Sequence, residues 1–170
     1  QMMRDLFNAP VCEATIFNAS KRSYENLQPF EKAVVQSLIE SPVVQVDESG
    51  ARTAGKLHWL HVACTEHFTF YGIHEKRGSE ATDHFEILPN FSGCLIHDFW
   101  KPYLTYGCDH GLCNSHHWRE LTFLFEQQEQ TWAGEMFDFL MDANDFVKEH
   151  GGRLTLQERL PWIHRYRNII

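Results

Sequence analysis

The chain has 170 residues, 43% of them hydrophobic and 14% aromatic, enough apolar material for a globular domain with a real core and not the composition of a disordered chain. No apolar run approaches the roughly 20 residues that a membrane span needs, and no signal peptide is visible. The formal net charge of −8 argues against a chain that binds nucleic acid nonspecifically over its surface, but it does not exclude a nucleic-acid enzyme whose carboxylates hold metal ions.

Residues 1 to 41 read as helical. Met2, Met3, Leu6 and Phe7 form one apolar face that Asn8-Ala9-Pro10 breaks. Val11 to Leu27 is a second helical stretch ending before Pro29, and Phe30 to Ile39 is a third, with Phe30, Val34, Leu38 and Ile39 at helical spacing. Two helices with a short turn fit either a helical bundle or the remnant of a helix-turn-helix, where Lys21-Arg22 would suit phosphates. After Ser41-Pro42, Val43, Val44 and Val46 predict a β-branched strand that ends in Asp47-Glu48, with a polar loop from Gly50 to Gly55. Leu57 to Cys64 and Phe68 to Ile73 predict two more strands around a Thr65-Glu66-His67 hairpin.

Ser79 is placed to cap a helix running to about Leu88, with Ala81, Phe85 and Leu88 inward and Pro89 beyond its end. Cys94 to Ile96 is a short buried strand that runs into His97 and Asp98, with Trp100 and Tyr103 as large anchors after it. His110 to Asn114 predicts a fifth strand. The remainder is helical: His116 to about Gln128, then a stripe of Trp132, Met136, Phe139, Leu140, Ala143, Phe146 and Val147 that Gly151-Gly152 stops. A last helix has a capping-box spacing at Thr155 and Glu158, with Pro161 either in its first turn or at a kink.

Three antiparallel strands followed by strands alternating with helices predict an α/β fold, a ribonuclease-H-like mixed five-stranded sheet. In it the first and fourth strands lie side by side and parallel. The expected organisation is an N-terminal helical segment (1–41), the partial catalytic core (42–115) and a helical insertion region (116–170). Asp47 and Asp98 each end a strand, so in this arrangement they would share one or two divalent ions. Hard carboxylate oxygens suit Mg²⁺ or Mn²⁺, which also take substrate phosphate oxygens. The same pattern arises where both acids are turn or cap residues.

Several longer stretches are more specific. Val-Asp-Glu-Ser-Gly at 46–50, Gly-Lys-Leu-His-Trp-Leu-His-Val-Ala at 55–63 and Lys-Arg-Gly at 76–78 are three of them. Ile-Leu-Pro-Asn-Phe-Ser-Gly at 87–93, His-Asp-Phe-Trp-Lys-Pro-Tyr at 97–103 and Leu-Cys-Asn-Ser-His-His-Trp-Arg-Glu-Leu at 112–121 follow in order. Together they resemble the transposases of the insertion-sequence-66 family across nearly the whole chain. The resemblance implies a bacterial, cytoplasmic mobile-element transposase with an acidic triad and a two-metal Mg²⁺ or Mn²⁺ site. Its partners would be DNA, as transposon ends and target, and further subunits in the active complex. It puts Asp47 and Asp98 at the family's first two catalytic aspartates. The family's third carboxylate lies in an Asn-Asn-x-Ala-Glu-Arg segment downstream of a helical insertion, and the 170 residues contain no such segment. The chain therefore reads as a piece cut from a longer protein, inactive alone. Glu120, on a helix after the fifth strand, is the rival for the third acid within the chain, although Arg119-Glu120 also fits a surface ion pair.

Five cysteines (Cys12, Cys64, Cys94, Cys108 and Cys113) in apolar settings read as reduced intracellular thiols, not a disulfide framework. Cys108, His110, Cys113 and His116 offer four zinc-type ligands in nine residues, although strand alternation would scatter them. His116 or His117 near the carboxylates would contact DNA phosphate instead, and His97, facing away from Asp98, reads as packing. Trp59 and Trp100 read as core or rim anchors. The reading is thus a transposase catalytic-domain fragment, with Glu48, Lys101 and Arg119 as possible helpers. Its rivals are a zinc-dependent hydrolase or nuclease on the Cys/His cluster and a non-catalytic assembly module.

Overall fold

The computed structural model describes Asp5, Phe7, Asn8 and residues 11–170. The apolar face read for Met2, Met3 and Leu6, and its break at Ala9-Pro10, lie outside these residues. The chain forms two compact units, the first ending at Gly111 and the second spanning Leu112–Ile170.

The first unit begins with helix α1, Glu13–Ile39, which runs unbroken through Pro29. The two helices expected here are therefore one, and the helix-turn-helix reading falls with the turn it required. Proline removes one backbone donor and crowds the carbonyl four residues back, at a cost of about 3 kcal/mol. That cost is local: the last turns of α1 are held by Val34 and Leu38, which are buried in the core.

Strand β1 spans Val43–Thr53, so it does not stop at Asp47-Glu48. It pairs antiparallel with β2, Lys56–Cys64, through Thr53 and Lys56, and the two-residue turn between them has positive φ at both Ala54 and Gly55. That is the twist a tight hairpin needs, and Gly55 takes it without strain. Of the loop expected from Gly50 to Gly55, residues 50–53 are strand because every one of them has a partner on β2. Strand β3, Thr69–His74, pairs antiparallel with β2, and Thr65 closes their turn by accepting from the His67 and Phe68 amides at its hydroxyl.

Helix α2 covers only Ser79–His84, with Gly78 at the N-cap position in place of Ser79. Glu86, at φ +57°, turns the chain out of the helix, and the path resumes as a 3-10 turn at Leu88–Asn90. Strand β4, Cys94–His97, follows, then a 3-10 turn at Lys101–Thr105 and strand β5, Asp109–Leu112. The sheet order is β3-β2-β1-β4-β5, with β1 parallel to β4 and antiparallel to β2. This mixed five-stranded α/β sheet is the ribonuclease-H-like arrangement. Its core gathers Val34, Leu38, Val44, Ile87, Leu88, Leu95 and Tyr103, and burying each aliphatic side chain contributes about 1.5–3 kcal/mol.

The second unit is three helices: α3, Asn114–Gln128, α4, Thr131–Glu149, and α5, Leu156–Ile169. Leu121, Ala133, Met136 and Phe139 form its core, with Trp162 packed against them. Gly151 and Gly152, at φ +72° and +81°, end the turn after α4. The capping box of Thr155 and Glu158 starts α5, and Pro161 lies inside that helix, past its first turn. No described helix is long and apolar enough to cross a membrane.

Candidate functional site

The site begins with the register between β1 and β4. Val43 pairs with Cys94, Val44 with Leu95 and Gln45 with Ile96, all parallel. The same register carried two residues further sets Asp47 opposite Asp98. The backbone ladder ends one step short of His97, so the two acids stand just beyond the last paired residues, at the C-terminal end of β4. Asp47 is exposed and Asp98 half-buried. Each is held through one oxygen only among the described residues: Asp47 Oδ1 accepts the Glu48 amide at 2.8 Å, and Asp98 Oδ1 accepts the Trp100 amide at 2.9 Å. Hard carboxylate oxygen is the donor type that Mg²⁺ and Mn²⁺ take, and among the described residues no third acid, His or Cys side chain joins this pair in a metal-binding group.

Glu48 behaves differently from its neighbour. Side chains alternate along a strand, so Val44, Val46 and Glu48 share the core face while Val43, Gln45 and Asp47 share the other. A buried lone carboxylate is costly, and Glu48 is fully engaged. Its Oε1 accepts from Arg77 Nε at 2.7 Å and Nη2 at 2.6 Å, and its Oε2 accepts the Tyr103 hydroxyl. The Arg77 guanidinium sits 4.3 Å from the Trp100 ring centre and 5.0 Å from that of Trp59. His61, buried behind them, donates Nε2 to the Lys76 carbonyl and so holds the Lys76-Arg77 segment; burial lowers its pKa. Burial also pushes the Tyr103 hydroxyl far up, helped by the bond to Glu48 and then by the charges of Glu48, Asp98 and Asp47. Of the three carboxylates, only Glu48 bonds the phenol directly.

Among the other residues singled out from the sequence, His97 is completely buried and packs against Tyr103, as a core histidine. Its Nδ1 meets the Asp98 carbonyl, and its Nε2 meets His110 Nδ1 at 3.0 Å. The zinc reading of Cys108, His110, Cys113 and His116 is not supported. Among the described residues no three His, Cys, Asp or Glu side chains converge on one point as metal ligands. Both ring nitrogens of His110 are taken, by His97 and by the Tyr106 carbonyl. Lys101 is exposed at the start of its 3-10 turn. Glu120 and Arg119 are exposed on α3 of the second unit, without an ion pair between them.

The Glu48–Arg77–Tyr103 cluster was not singled out as a unit from the sequence. The available signal was parity. A Glu two residues after Val46, on the core face of a strand, demands a cation, and Lys76-Arg77 was the stretch left without a role.

No curated protein and no solved structure matches the chain. The family model described as "Transposase IS66 family" matches residues 1–169. A match of that extent, over the sheet and the helices after it, settles the family: the chain belongs to the IS66 family of transposases.

Proposed function

We propose that the chain carries the first two carboxylates of a metal-dependent DNA strand-cleaving and strand-transferring centre, Asp47 and Asp98. The observation that supports this reading is the register of β1 on β4, which brings the two acids level where the backbone ladder stops. The intact enzyme would cut DNA at the element's ends and then join the freed 3′ hydroxyl to target DNA. Asp47 and Asp98 are the residues that would hold the cation in both steps. When bound, Mg²⁺ or Mn²⁺ supplies an activated hydroxyl and stabilises the leaving oxygen of an in-line phosphoryl transfer. The family resemblance puts the third carboxylate in a downstream segment, and Glu120 is the candidate within these 170 residues. Residues 42–115 would then be the catalytic core and 116–170 the helical insertion. DNA, as element ends and target, is the partner, and assembly of several subunits completes the active complex.

The test is cleavage of labelled element-end DNA in Mg²⁺ or Mn²⁺ by a chain long enough to include the downstream carboxylate. Asp47→Asn and Asp98→Asn should each abolish cleavage while the fold, read by circular dichroism, is kept. Full cleavage by either variant overturns the assignment.

A further inference from the structure

The backbone ladder between β1 and β4 reaches only Gln45 and Ile96, so no paired amide fixes the spacing of Asp47 and Asp98. Another set of contacts bridges the same gap. The amide that holds Asp47 belongs to Glu48, and the amide that holds Asp98 belongs to Trp100. The side chains of those two residues meet on one group: Glu48 binds the Arg77 guanidinium, and Trp100 stacks on it. Tyr103, in the turn after Asp98, closes a second link through its hydroxyl to Glu48.

We infer that Glu48, Arg77 and Tyr103 form a positioning clamp that sets the separation and aim of the Asp47 and Asp98 carboxylates. The inference rests on the reading of that pair as a metal centre. None of the three clamp residues touches the reacting atoms. Glu48 accepts from Arg77 and Tyr103 on the core face of β1, the face opposite to that of Asp47. Its position makes it a strut: one residue from Asp47 along β1 and joined across the gap to the segment that carries Asp98. The Trp59 and Trp100 rings flank the guanidinium, and the Glu48 carboxylate at the other end of the pair is buried, a setting that fixes the direction of a charge-assisted bond.

The clamp is tested by Mn²⁺ titration of the 170-residue chain, followed by calorimetry and by water-proton relaxation, below the unfolding temperature of each variant. Asp98→Asn should abolish the binding. Tyr103→Phe, which keeps the buried ring, and Glu48→Ala should each weaken it about tenfold, the low end of the loss seen when groups supporting metal ligands are removed. Glu48→Gln, whose amide oxygen still accepts from Arg77 while its NH2 can only donate to the Tyr103 hydroxyl oxygen, should recover part of the affinity. A residue important only for folding would change the unfolding temperature and leave Mn²⁺ affinity alone. If Glu48→Ala fails to fold, Tyr103→Phe carries the test. Wild-type affinity in Tyr103→Phe, with binding still lost in Asp98→Asn, overturns the clamp and leaves the metal centre standing. Wild-type affinity in Asp98→Asn overturns both.

Discussion

Gly93 faces the carbonyl oxygen of Pro42 so closely that a Cβ on it would lie 2.6 Å from that oxygen. The Ser41 carbonyl would be 2.8 Å away and a Phe91 ring carbon 2.7 Å away. The Pro42 carbonyl is also the acceptor of the Cys94 amide, at 2.9 Å. Glycine is required here for room, because this contact starts the parallel pairing of β4 on β1 that sets Asp98 level with Asp47.

Gly93→Ala should therefore destabilise the first unit by about 3 kcal/mol, the upper end of the usual overpacking cost, because two of the three obstructing atoms are backbone and cannot rotate away. The measurement is a urea unfolding midpoint with the slope unchanged. Gly111→Ala is the comparison. Its nearest obstruction is the terminal carbon of Ile96, at 2.5 Å, which a rotamer change can relieve. An equal loss in both variants would show that the Pro42 contact is not what limits Gly93.

How much of this was legible before the structure differs by element. The strands were, because Val43 to Val46, Leu57 to Cys64 and Cys94 to Ile96 are short apolar runs between turn residues, and a parallel β1–β4 pair follows from their order. The extension of β1 past Asp47 was not. Gly50 to Gly55 look like a loop in isolation, and residues 50–53 become strand only through the partner residues on β2. Pro29 misled in the same way, since the packing of Val34 and Leu38 outweighs a local helix-breaking signal. At the site, Asp47, expected at a strand end, lies in the middle of β1, whereas Asp98 was visible as the acid just after its strand. The partners of Glu48 were not, because Arg77 and Tyr103 lie 29 and 55 residues away in the chain and only the fold brings them together.

Alkaline pH should weaken the fold through two phenols. Burial and the surrounding carboxylates hold Tyr103 protonated far above its usual range, and burial pushes Tyr106 up to about 12. In the unfolded chain both return to about 10. Above about pH 10 the unfolded state thus releases protons that the folded state keeps, so stability falls as pH rises; below that value neither phenol contributes to the pH dependence. The urea midpoint should decline from about pH 10 upward, and Tyr103→Phe should make that decline shallower. An unchanged slope in Tyr103→Phe would show that the phenol is not held neutral by the fold.

Acid should act first at the start of α5. Thr155 donates its amide and its hydroxyl to Glu158 Oε2, each at 2.7 Å, and these bonds hold the Glu158 carboxyl below its usual pKa. A carboxylate with a depressed folded pKa adds stability above its unfolded value, about 4.3, and that stability is lost as pH falls through the lower folded value. Amide protection at Glu158 and Arg159, taken relative to the intrinsic exchange rate at each pH, should therefore fall below about pH 4, before the sheet responds. Thr155→Ala should give that loss of protection at neutral pH and remove its dependence on acid. Protection in the wild type that persists until the whole chain unfolds would show that the cap does not limit this end of the helix.

The last prediction concerns what these 170 residues can do alone. On the proposed reading, in which the family resemblance implies a third carboxylate in an Asn-Asn-x-Ala-Glu-Arg segment, they should fold, since both units have buried cores, yet cut element-end DNA far more slowly than a longer chain carrying that segment. Two aspartates offer few fixed oxygens for two Mg²⁺ ions, and Mg²⁺ tolerates departures from octahedral geometry poorly. Phosphoryl transfer depends on positioning and on charge stabilisation, so a loosely held ion should cost about 10²–10³ in rate. The formal charge of −8 adds to this, because it leaves little basic surface to hold the phosphate backbone. Cleavage rates of the two chains on the same DNA, in Mn²⁺, decide the matter. Equal rates would mean that the acids within the 170 residues suffice. Glu120→Gln then separates the two sources of the third carboxylate: loss of cleavage would give that role to Glu120 on α3, and unchanged cleavage in the longer chain would leave it with the downstream glutamate.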